Sequence, residues 1–457
     1  MQLLDDSGTL SAAGLPLQRP APANYDDALT WTRLALGLSE QPGWQLRWTT
    51  IDNAPAGREV HWSSAFAHLI SAAGKARRQA TGEPLPLATE RMLAWFNLPL
   101  ILAAVIVFSG LIAARFGAGA GMILALGMVG HPSFYLGFAP NYVDHHGLLS
   151  AAALGVVLGA VLMGGGWHGP NREEAGLLPP SITAARRGAI LSAVSGGLGM
   201  WISAASIIPT IAIVGVAAVA SAWWIQPRED AQLDGDLWRL WGRVGAAISA
   251  VSYLAEYAPQ HLGVRLEANH PLYALAWLGG GELIAALLER RAGKSRTPAW
   301  RTALATAAVA AAPATIAIWG DRVFMLLDPR ESVIHHAIGE FASLAAAARM
   351  PDSDGWAGFL PGLLLFAPGL LVLRRRLPDR RVIGFATIVV TLSFGLAAWQ
   401  IRWWLSTSGP ELVLLVAVMA VVAREWRQRA RWAAVGVWWR PDSPRTGASR
   451  SRTRITT

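Results

Sequence analysis

The stretch "GFAPNYVDHHGLLS", residues 137–150, places an aspartate and two histidines, Asp144, His145 and His146, directly before a long apolar run. An ionisable side chain at the edge of a lipid bilayer is costly unless it is paired or bound to a ligand. On a helix, side chains two residues apart, as Asp144 and His146 are, point about 200° away from each other. "VDHH" therefore predicts a non-helical turn, followed by a helix that starts near Gly147.

The rest of the chain has the composition of an integral membrane protein. Of its 457 residues, 53% are hydrophobic and only 15% are charged. This composition is more hydrophobic and less charged than that of a typical soluble domain. Apolar runs that approach the length of a bilayer span, about 20 residues, lie near 95–115, 147–167, 188–208, 209–226, 236–257, 270–288, 299–319, 356–373 and 382–401, with two more near 117–138 and 404–423. We expect an all-α polytopic membrane protein with about eleven transmembrane helices.

Positive charge gathers in a few short loops and in the tail. "ERRAGKSR" (289–296), "RRRLPDRR" (374–381) and the tail from Arg424 to Arg454 are strongly basic. The net charge of +9 is thus explained by membrane orientation rather than by nucleic-acid binding, and basic loops face the cytoplasm. "VDHH" then lies on the extracytoplasmic side of a cell inner membrane or plasma membrane. The chain has no cysteine, which excludes disulfides and thiolate metal sites.

Three regions follow from this pattern. Residues 1–94 form a polar first-loop region with amphipathic helices on the extracytoplasmic side, 95–423 form the transmembrane helical domain, and 424–457 form a basic cytoplasmic tail. Because a long external segment needs a way across the membrane, we expect a spanning helix upstream of Met1. The alternative is that 1–94 is a domain lying on the membrane surface.

Polar residues from distant parts of the sequence share the predicted extracytoplasmic face. They are Asp26 and Asp27, Asp144 with His146, Glu340 in "ESVIHHAIGEF", and Arg402 in "QIRWWL". Carboxylates with one imidazole suit a divalent cation such as Mg²⁺ or Mn²⁺. A nearby arginine suits phosphate, because its charge is permanent and its fork geometry matches phosphate oxygens. Together these residues predict a site for a phosphorylated substrate.

Three segments resemble a known family. "YDDALTWTRLA" (25–35), "HWSSAFAHLI" (61–70) and "NYVDHHGLL" (141–149) are similar to the glycosyltransferase C superfamily of membrane proteins, above all to oligosaccharyltransferase catalytic subunits and their bacterial relatives. In that family an acidic residue of the first external loop precedes an arginine by six residues, and Asp27 and Arg33 match this spacing. The family's second motif, an aspartate followed two residues later by an acidic residue or histidine, is matched by Asp144 and His146.

The resemblance implies a function and a division of roles. The chain would transfer a sugar or oligosaccharide from a polyprenyl-phosphate or polyprenyl-pyrophosphate donor to an acceptor, with membrane lipids around it. A divalent metal would be held by Asp27, Asp144 and His146. Arg402 would bind the donor phosphate, Asp26 or Asp27 would orient or deprotonate the acceptor, and Glu340 would correspond to a catalytic glutamate of a later external loop.

Each site residue also has a simpler interpretation. Asp144 and the pair Asp26 and Asp27 are good helix caps. Glu340 suits a solvated loop, and Arg402 beside two tryptophans suits an interfacial anchor.

The external loop 256–273 either lines an acceptor site or is structural, and its spacing does not decide between them. At the level of the whole protein, a transporter or flippase of lipid-linked sugars would use the same charges without catalysis. An inactive relative that scaffolds an assembly is a third possibility.

Overall fold

A computed structural model describes the backbone of residues 26–40, 43–50, 54–169, 176–225, 231–259, 261–294, 297–329, 333, 341–347, 349, 370 and 380–438. Side-chain surroundings are described at all of these positions except 26, 27, 326, 347, 405 and 425–438.

Within these ranges the fold is built almost entirely of helices. In chain order they are α1 (Asp26–Glu40), α2 (Ala65–Thr81), α3 (Leu85–Phe116), α4 (Ala118–Gly130), α5 (Pro132–Leu136), α6 (His146–Leu162), α7 (Ile182–Trp224), α8 (Asp236–Tyr257), α9 (Pro271–Arg291), α10 (Ala299–Trp319), α11 (Leu344–Ala347), α12 (Arg380–Trp399) and α13 (Trp404–Trp438). Short 3₁₀ turns cover Gly164–Gly166, Gly320–Arg322, Met325–Leu327 and Ile401–Trp403.

Two short antiparallel ladders complete the described structure. Strand β1 (Trp48–Thr49) pairs with β2 (Arg58–Glu59) in the register Trp48↔Glu59 and Thr49↔Arg58. Strand β3 (Trp167–His168) pairs with β4 (Gln232–Leu233) in the register Trp167↔Leu233 and His168↔Gln232. Each ladder ties together two loops and adds no sheet layer to the bundle.

Local signals explain several helix ends. The Ser181 hydroxyl accepts a hydrogen bond from Ala184 N at 3.2 Å and caps α7, which satisfies an N–H that has no partner inside the helix. Helix α9 starts with Pro271 after a capping His270, a position where the missing proline N–H costs nothing. Helix α2 ends at Gly82, whose φ of 71° is a left-handed conformation that glycine adopts without strain.

Helix α6 lies at the centre of the bundle. Every residue from Ala153 to Val161 is buried, and small residues let neighbouring helices approach closely, as packing in lipid requires. A Cβ added to Gly188 of α7 would lie 2.5 Å from Met163 N, at the end of α6. On another side, a Cβ on Gly409 of α13 would lie 2.8 Å from Leu154 N. Backbone thus packs against backbone at both interfaces.

Helix α7 bends sharply near its middle. Ser203 has φ −156° and ψ 102°, which is not helical, and Ala205 N donates instead, at 3.3 Å, to the Glu267 carbonyl in the loop between α8 and α9. A Cβ on Gly199 would lie 2.9 Å from Ile207 Cγ1, although residues eight apart in a straight helix are separated by about 12 Å. The two spans predicted at 188–208 and 209–226 therefore form one element with a break at Ser203.

The all-α expectation for a membrane protein is confirmed. In the part of the chain that the structure describes, six helices are long and apolar enough to cross a membrane: Leu85–Phe116, Ile182–Trp224, Pro271–Arg291, Ala299–Arg322, Arg380–Trp399 and Ser406–Arg424. Two shorter apolar helices, Ala118–Gly130 and His146–Leu162, accompany them.

The predicted number of about eleven spans is not confirmed. The run 236–257 forms α8, which is not among the six, and the run 356–373 lies outside the described residues. Helix α3 starts at Leu85 and α13 continues to Trp438, so both predicted region boundaries fall inside helices.

A buried ion pair fastens the segment 43–64 to the bundle. The Arg47 guanidinium donates to Glu256 at the end of α8 and, at 2.9 Å, to the Ser64 hydroxyl. Glu256 is fully buried and also accepts from Ser64 N at 2.7 Å and from Trp201 Nε1 of α7 at 3.0 Å. The sequence of the loop 256–273 allows it either to line an acceptor site or to be structural. For Glu256, its first residue, the structure supports the structural role.

His61 lies beside this ion pair in an unfavourable place for a charged imidazole. Its side chain is 7% exposed, and Tyr257 donates a hydrogen bond to its carbonyl oxygen at 2.9 Å. Burial, helped by Arg58, Arg265 and Arg47, lowers the pKa of His61 to about 4. The imidazole is therefore neutral at pH 7 in the folded protein.

We expect Gly188→Ala to destabilise the bundle, whereas Gly395→Ala should leave it unchanged or slightly stabilised. The new methyl at 188 meets backbone atoms that cannot move aside, while nothing lies within 4 Å of a Cβ at 395. Overpacking of this kind costs about 1–3 kcal/mol. Thermal unfolding of both variants in detergent tests this, and equal melting temperatures would contradict the close α6–α7 crossing.

We also expect the folded protein to lose stability as the pH falls from 6.5 toward 4, in part through His61. The unfolded chain binds a proton near pH 6.5 and the folded chain only near pH 4, so acid favours unfolding by about 2 kcal/mol at pH 5 from this group. Unfolding measured at pH 7.5 and pH 5 for the wild type and for His61→Phe isolates the contribution. Equal pH dependence in the two proteins would show that His61 does not contribute.

Candidate functional site

Asp144 is the centre of a group of interacting side chains at the start of α6. It is only 2% exposed, and its carboxylate accepts hydrogen bonds from Trp31 Nε1 at 3.1 Å and from His145 N at 2.5 Å. His145 Nδ1 lies 2.6 Å from Oδ1, without hydrogen-bond geometry, and His146 Nδ1 lies 2.7 Å from Oδ2. The residues of "VDHH" thus converge, and α6 starts at His146 after a non-helical turn, as the spacing predicts.

The neighbouring imidazoles keep Asp144 charged. Burial alone would raise the pKa of Asp144, but His145 and His146 outweigh it and hold the pKa well below its usual value. Tyr142 OH lies 2.8 Å from His146 Nδ1, so this nitrogen faces both the phenol and the carboxylate. An ionised carboxylate and an oriented imidazole are both ligand types that a divalent cation accepts.

Trp31 connects this group to the N-terminal part of the described chain. It lies in α1, packs edge-on against Phe66 with ring centroids 5.1 Å apart, and makes a similar contact with His145 at 5.4 Å. Asp26 and Asp27 form the first turn of the same helix, and position 27 falls one helical turn before Trp31. The structure therefore brings the backbone of the "DDALTW" segment, residues 26–31, to Asp144, while the side chains of Asp26 and Asp27 lie outside the description.

Arg402 reaches the same region from the opposite end of the sequence. It lies in the 3₁₀ turn Ile401–Trp403, with its guanidinium carbon 4.5 Å from the centroid of Phe341 and 5.5 Å from that of Trp403. A small cleft is lined by Arg402 and by His146, Leu149, Ser150, Ser206, Trp403 and Ser406. The predicted phosphate-binding residue and one predicted metal ligand thus face one space.

A large apolar cavity opens beside this cleft. Its volume is about 1180 Å³, and its walls come mainly from the second half of α7 and from α9 and α10. Tryptophans such as Trp223, Trp241 and Trp277 contribute to it, and Gln400 and Arg402 are among its few polar lining residues. The cavity therefore combines an apolar surface inside the bundle with a fixed positive charge.

The predicted metal site stays a prediction, because the described side chains include only part of it. They include no group of three His, Asp or Glu residues arranged to hold a metal ion. Asp144 and His146 supply two suitable ligands, and the third predicted ligand, Asp27, has a side chain outside the description. Glu340 lies outside the described residues altogether, and its role stays a prediction.

Sequence reasoning did not identify Trp31, Tyr142 or Ser206 as members of this region. A signal existed for Trp31, because a buried indole N–H needs an acceptor and this tryptophan follows Asp27 by four residues. For Ser206 no local signal existed, since its position depends on the bend in α7.

Solved structures of an archaeal oligosaccharyltransferase have a similar fold. AglB from Archaeoglobus fulgidus in complex with an inhibitory peptide and a dolichol-phosphate has a TM-score of 0.56 at 16% identity, covering 91% of this chain and 48% of AglB. The Archaeoglobus fulgidus oligosaccharyltransferase tethered to an acceptor peptide has a TM-score of 0.59 at 18% identity, covering 88% and 46% of the two chains. The same enzyme in complex with Zn and sulfate has a TM-score of 0.54 at 17% identity, covering 90% and 47%.

By sequence, no protein-family model and no curated protein matches the chain. The structural comparison shows that the chain shares the fold of the archaeal oligosaccharyltransferase. At this sequence identity the likeness shows the fold alone. This chain spans about half the length of the archaeal enzyme.

Replacing Trp31 with Phe should loosen α1 from the bundle. The variant keeps the aromatic contact with Phe66 but removes a donor to a buried carboxylate, a loss of about 1.5–3 kcal/mol when the acceptor is charged. Limited proteolysis in detergent should cut the region 26–64 faster than in the wild type. Trp300→Phe is the matched control because Trp300 is 63% exposed; equal cleavage rates for both variants would show that the Trp31–Asp144 bond does not hold α1.

Proposed function

We propose that the protein is a membrane glycosyltransferase that moves a sugar or oligosaccharide from a polyprenyl-phosphate or polyprenyl-pyrophosphate donor to an acceptor on the extracytoplasmic face. The observation that carries this proposal is the placement of His146 and Arg402 around one cleft, beside a large apolar cavity. A lipid-linked phosphate needs these features together, namely an apolar surface for the chain and polar groups for the anion.

Arg402 is suited to bind the donor phosphate. A guanidinium keeps its charge at any physiological pH and offers paired donors to phosphate oxygens. Phe341 and Trp403 lie near the guanidinium, and stacked aromatic rings restrict its orientation without competing for its hydrogen bonds. A charge fixed in this way stabilises the negative charge that develops on the departing phosphate.

Asp144 and His146 would supply two of the three protein ligands of a divalent cation, and Asp27 would supply the third. The fit rests on an ionised, buried carboxylate beside an imidazole whose Nδ1 is held by Asp144 and Tyr142. When bound, Mg²⁺ or Mn²⁺ would act as a Lewis acid toward the leaving phosphate. The archaeal neighbour in complex with Zn and sulfate supports a cation and an anion in this fold.

The acceptor is the nucleophile in this proposal, and the α1 segment is where it would be oriented. Asp26 and Asp27 begin α1, which Trp31 fastens to Asp144. A carboxylate at that place would accept a hydrogen bond or a proton from the acceptor. The bond between the anomeric carbon and the donor phosphate breaks as the bond to the acceptor forms.

A transporter or flippase of lipid-linked sugars is the alternative, and the break in α7 bears on it. Broken helices near the middle of the membrane are typical of transporters. Helix α7, however, has 43 residues, or about 65 Å of helix, enough for two crossings of a hydrocarbon core of about 30 Å. The break at Ser203 would then lie between two membrane crossings and not in the middle of one. Because transporters typically have the break in the middle of a crossing, this placement favours catalysis over transport.

We expect Asp144→Asn and Arg402→Gln to reduce sugar transfer by at least about 100-fold, the scale of losing one preorganised charge at a developing anion. In the assay, radiolabelled lipid-linked sugars extracted from the source cells are added to membranes that contain the protein. Transfer is measured as label that leaves the lipid fraction and appears on an acceptor. Addition of EDTA should abolish transfer, and Mg²⁺ or Mn²⁺ should restore it.

Arg265→Gln is the matched control for Arg402→Gln, since Arg265 is 44% exposed, lies 4.0 Å from Glu59 and does not line the cleft. This variant should transfer sugar at the wild-type rate. If labelled lipid crosses the vesicle membrane intact and no label leaves the lipid fraction, the transporter interpretation replaces the enzyme. If both arginine variants are equally impaired, the assigned role of Arg402 is wrong.

A further inference from the structure

A second buried pair of ionisable side chains lies outside the cleft, between α13 and the junction of α4 and α5. His131 Nε2 is 2.9 Å from Glu411 Oε2, and the two side chains are 5% and 0% exposed. Glu411 belongs to the apolar span Ser406–Arg424, where an ionisable group is costly unless it is paired. Among the described residues, His131 Nδ1 and Glu411 Oε1 have no hydrogen-bond partner, so each side chain is satisfied only by the other.

His131 is rigidly connected to the Asp144 turn. It precedes α5, and its carbonyl accepts hydrogen bonds from Phe134 N at 3.0 Å and Tyr135 N at 2.9 Å. The end of α5 in turn touches the start of α6, since a Cβ on Gly137 would lie 2.8 Å from Gly147 Cα. Displacement of His131 would therefore move the segment that carries Asp144 and His146.

Glu411 is just as firmly connected to the Arg402 turn. The 3₁₀ turn that contains Arg402 runs directly into α13, which starts at Trp404. Seven residues of helix separate Trp404 from Glu411, or about 10 Å along the axis. Ser406, on the same stretch of α13, lines the cleft with Arg402. Pro410 interrupts the helical hydrogen bonds of this stretch, but the continuous backbone still links Glu411 to that half of the site.

We propose that the His131–Glu411 pair is a positioning element that sets the Asp144–His146 half of the cleft against the Arg402 half. The Asp144–His146 half lies at the start of α6 and the Arg402 half lies in the turn before α13. The hydrogen bond joins α13 to the α4–α5 junction, from which the chain leads into α6. This role rests on the proposed transferase function, in which both halves act on one phosphate. A displacement of about 1 Å between groups that act together can reduce a rate by about 100-fold.

Variants at the pair separate positioning from simple stability. Glu411→Gln keeps a hydrogen bond to His131 and should stay within a few-fold of the wild-type kcat. Glu411→Leu leaves an imidazole buried without a partner. The double variant His131→Leu with Glu411→Leu removes both polar groups, which is often neutral or stabilising for a buried pair, but it also removes the directional contact. We expect this double variant to be as thermally stable as the wild type, with kcat about 10–100-fold lower and the donor KM changed less than threefold.

A distance measurement tests the same claim without activity. Because the chain contains no cysteine, Tyr135→Cys on α5 and Met419→Cys on α13, eight residues after Glu411, give a single pair of spin labels on exposed positions. Pulsed electron spin resonance should show a narrow distance distribution in the labelled wild type and in Glu411→Gln. The distribution should be broad or shifted in the double leucine variant. Ser249→Ala is the control, because it removes a buried hydrogen bond from α8 to Asn269, neither residue lines the cleft, and the distance should stay unchanged.

A double leucine variant that is folded, keeps the narrow distribution and transfers sugar at the wild-type rate would overturn the proposal. So would a loss of kcat with an unchanged distribution. If the wild type transfers no sugar at all, the proposed function is wrong, yet the distance distributions still decide whether the pair joins the two helices.

Discussion

A carboxylate with 2% exposure must be supplied with hydrogen bonds or positive charge by the protein itself, and Asp144 receives both. Its partners come from α1, from the turn before α6 and from α6 itself, so this one group fixes how three segments meet. Removing water from the carboxylate also strengthens each of these contacts. The candidate site exists as a geometric unit because these donors are tied to a single buried anion.

The same principle recurs at the other contacts between segments. Arg47 and Glu256 fasten the segment 43–64 to α8, while Arg239 bonds to Glu282 and Glu289 across the α8–α9 interface. Helices in lipid gain little from hydrophobic burial, so close glycine contacts and polar pairs decide their arrangement. A buried pair adds little net stability compared with apolar packing. We interpret these polar pairs as contacts that specify one relative position of the helices among several that apolar packing alone would allow.

Features that depend on nearby residues could be predicted from the sequence, and features that depend on distant ones could not. The turn at "VDHH" followed from the two-residue spacing of Asp144 and His146, and most apolar runs became helices. The partner of Asp144 could not be foreseen, because Trp31 lies 113 positions away. The break at Ser203 could not be predicted either. It is stabilised by a hydrogen bond to the Glu267 carbonyl of a separate loop, and helical periodicity carries no information about such a contact.

That break also explains how a serine of a long apolar helix comes to line the cleft. Backbone groups that a break in a helix releases need other partners, and the structure supplies one here. Ala205 N is satisfied by Glu267, the Ser203 and Ser206 hydroxyls lie 2.9 Å apart, and Ser206 faces the cleft. The second half of α7 then continues along the apolar cavity. One irregular residue thus directs the same helix to both the polar and the apolar part of the proposed donor site.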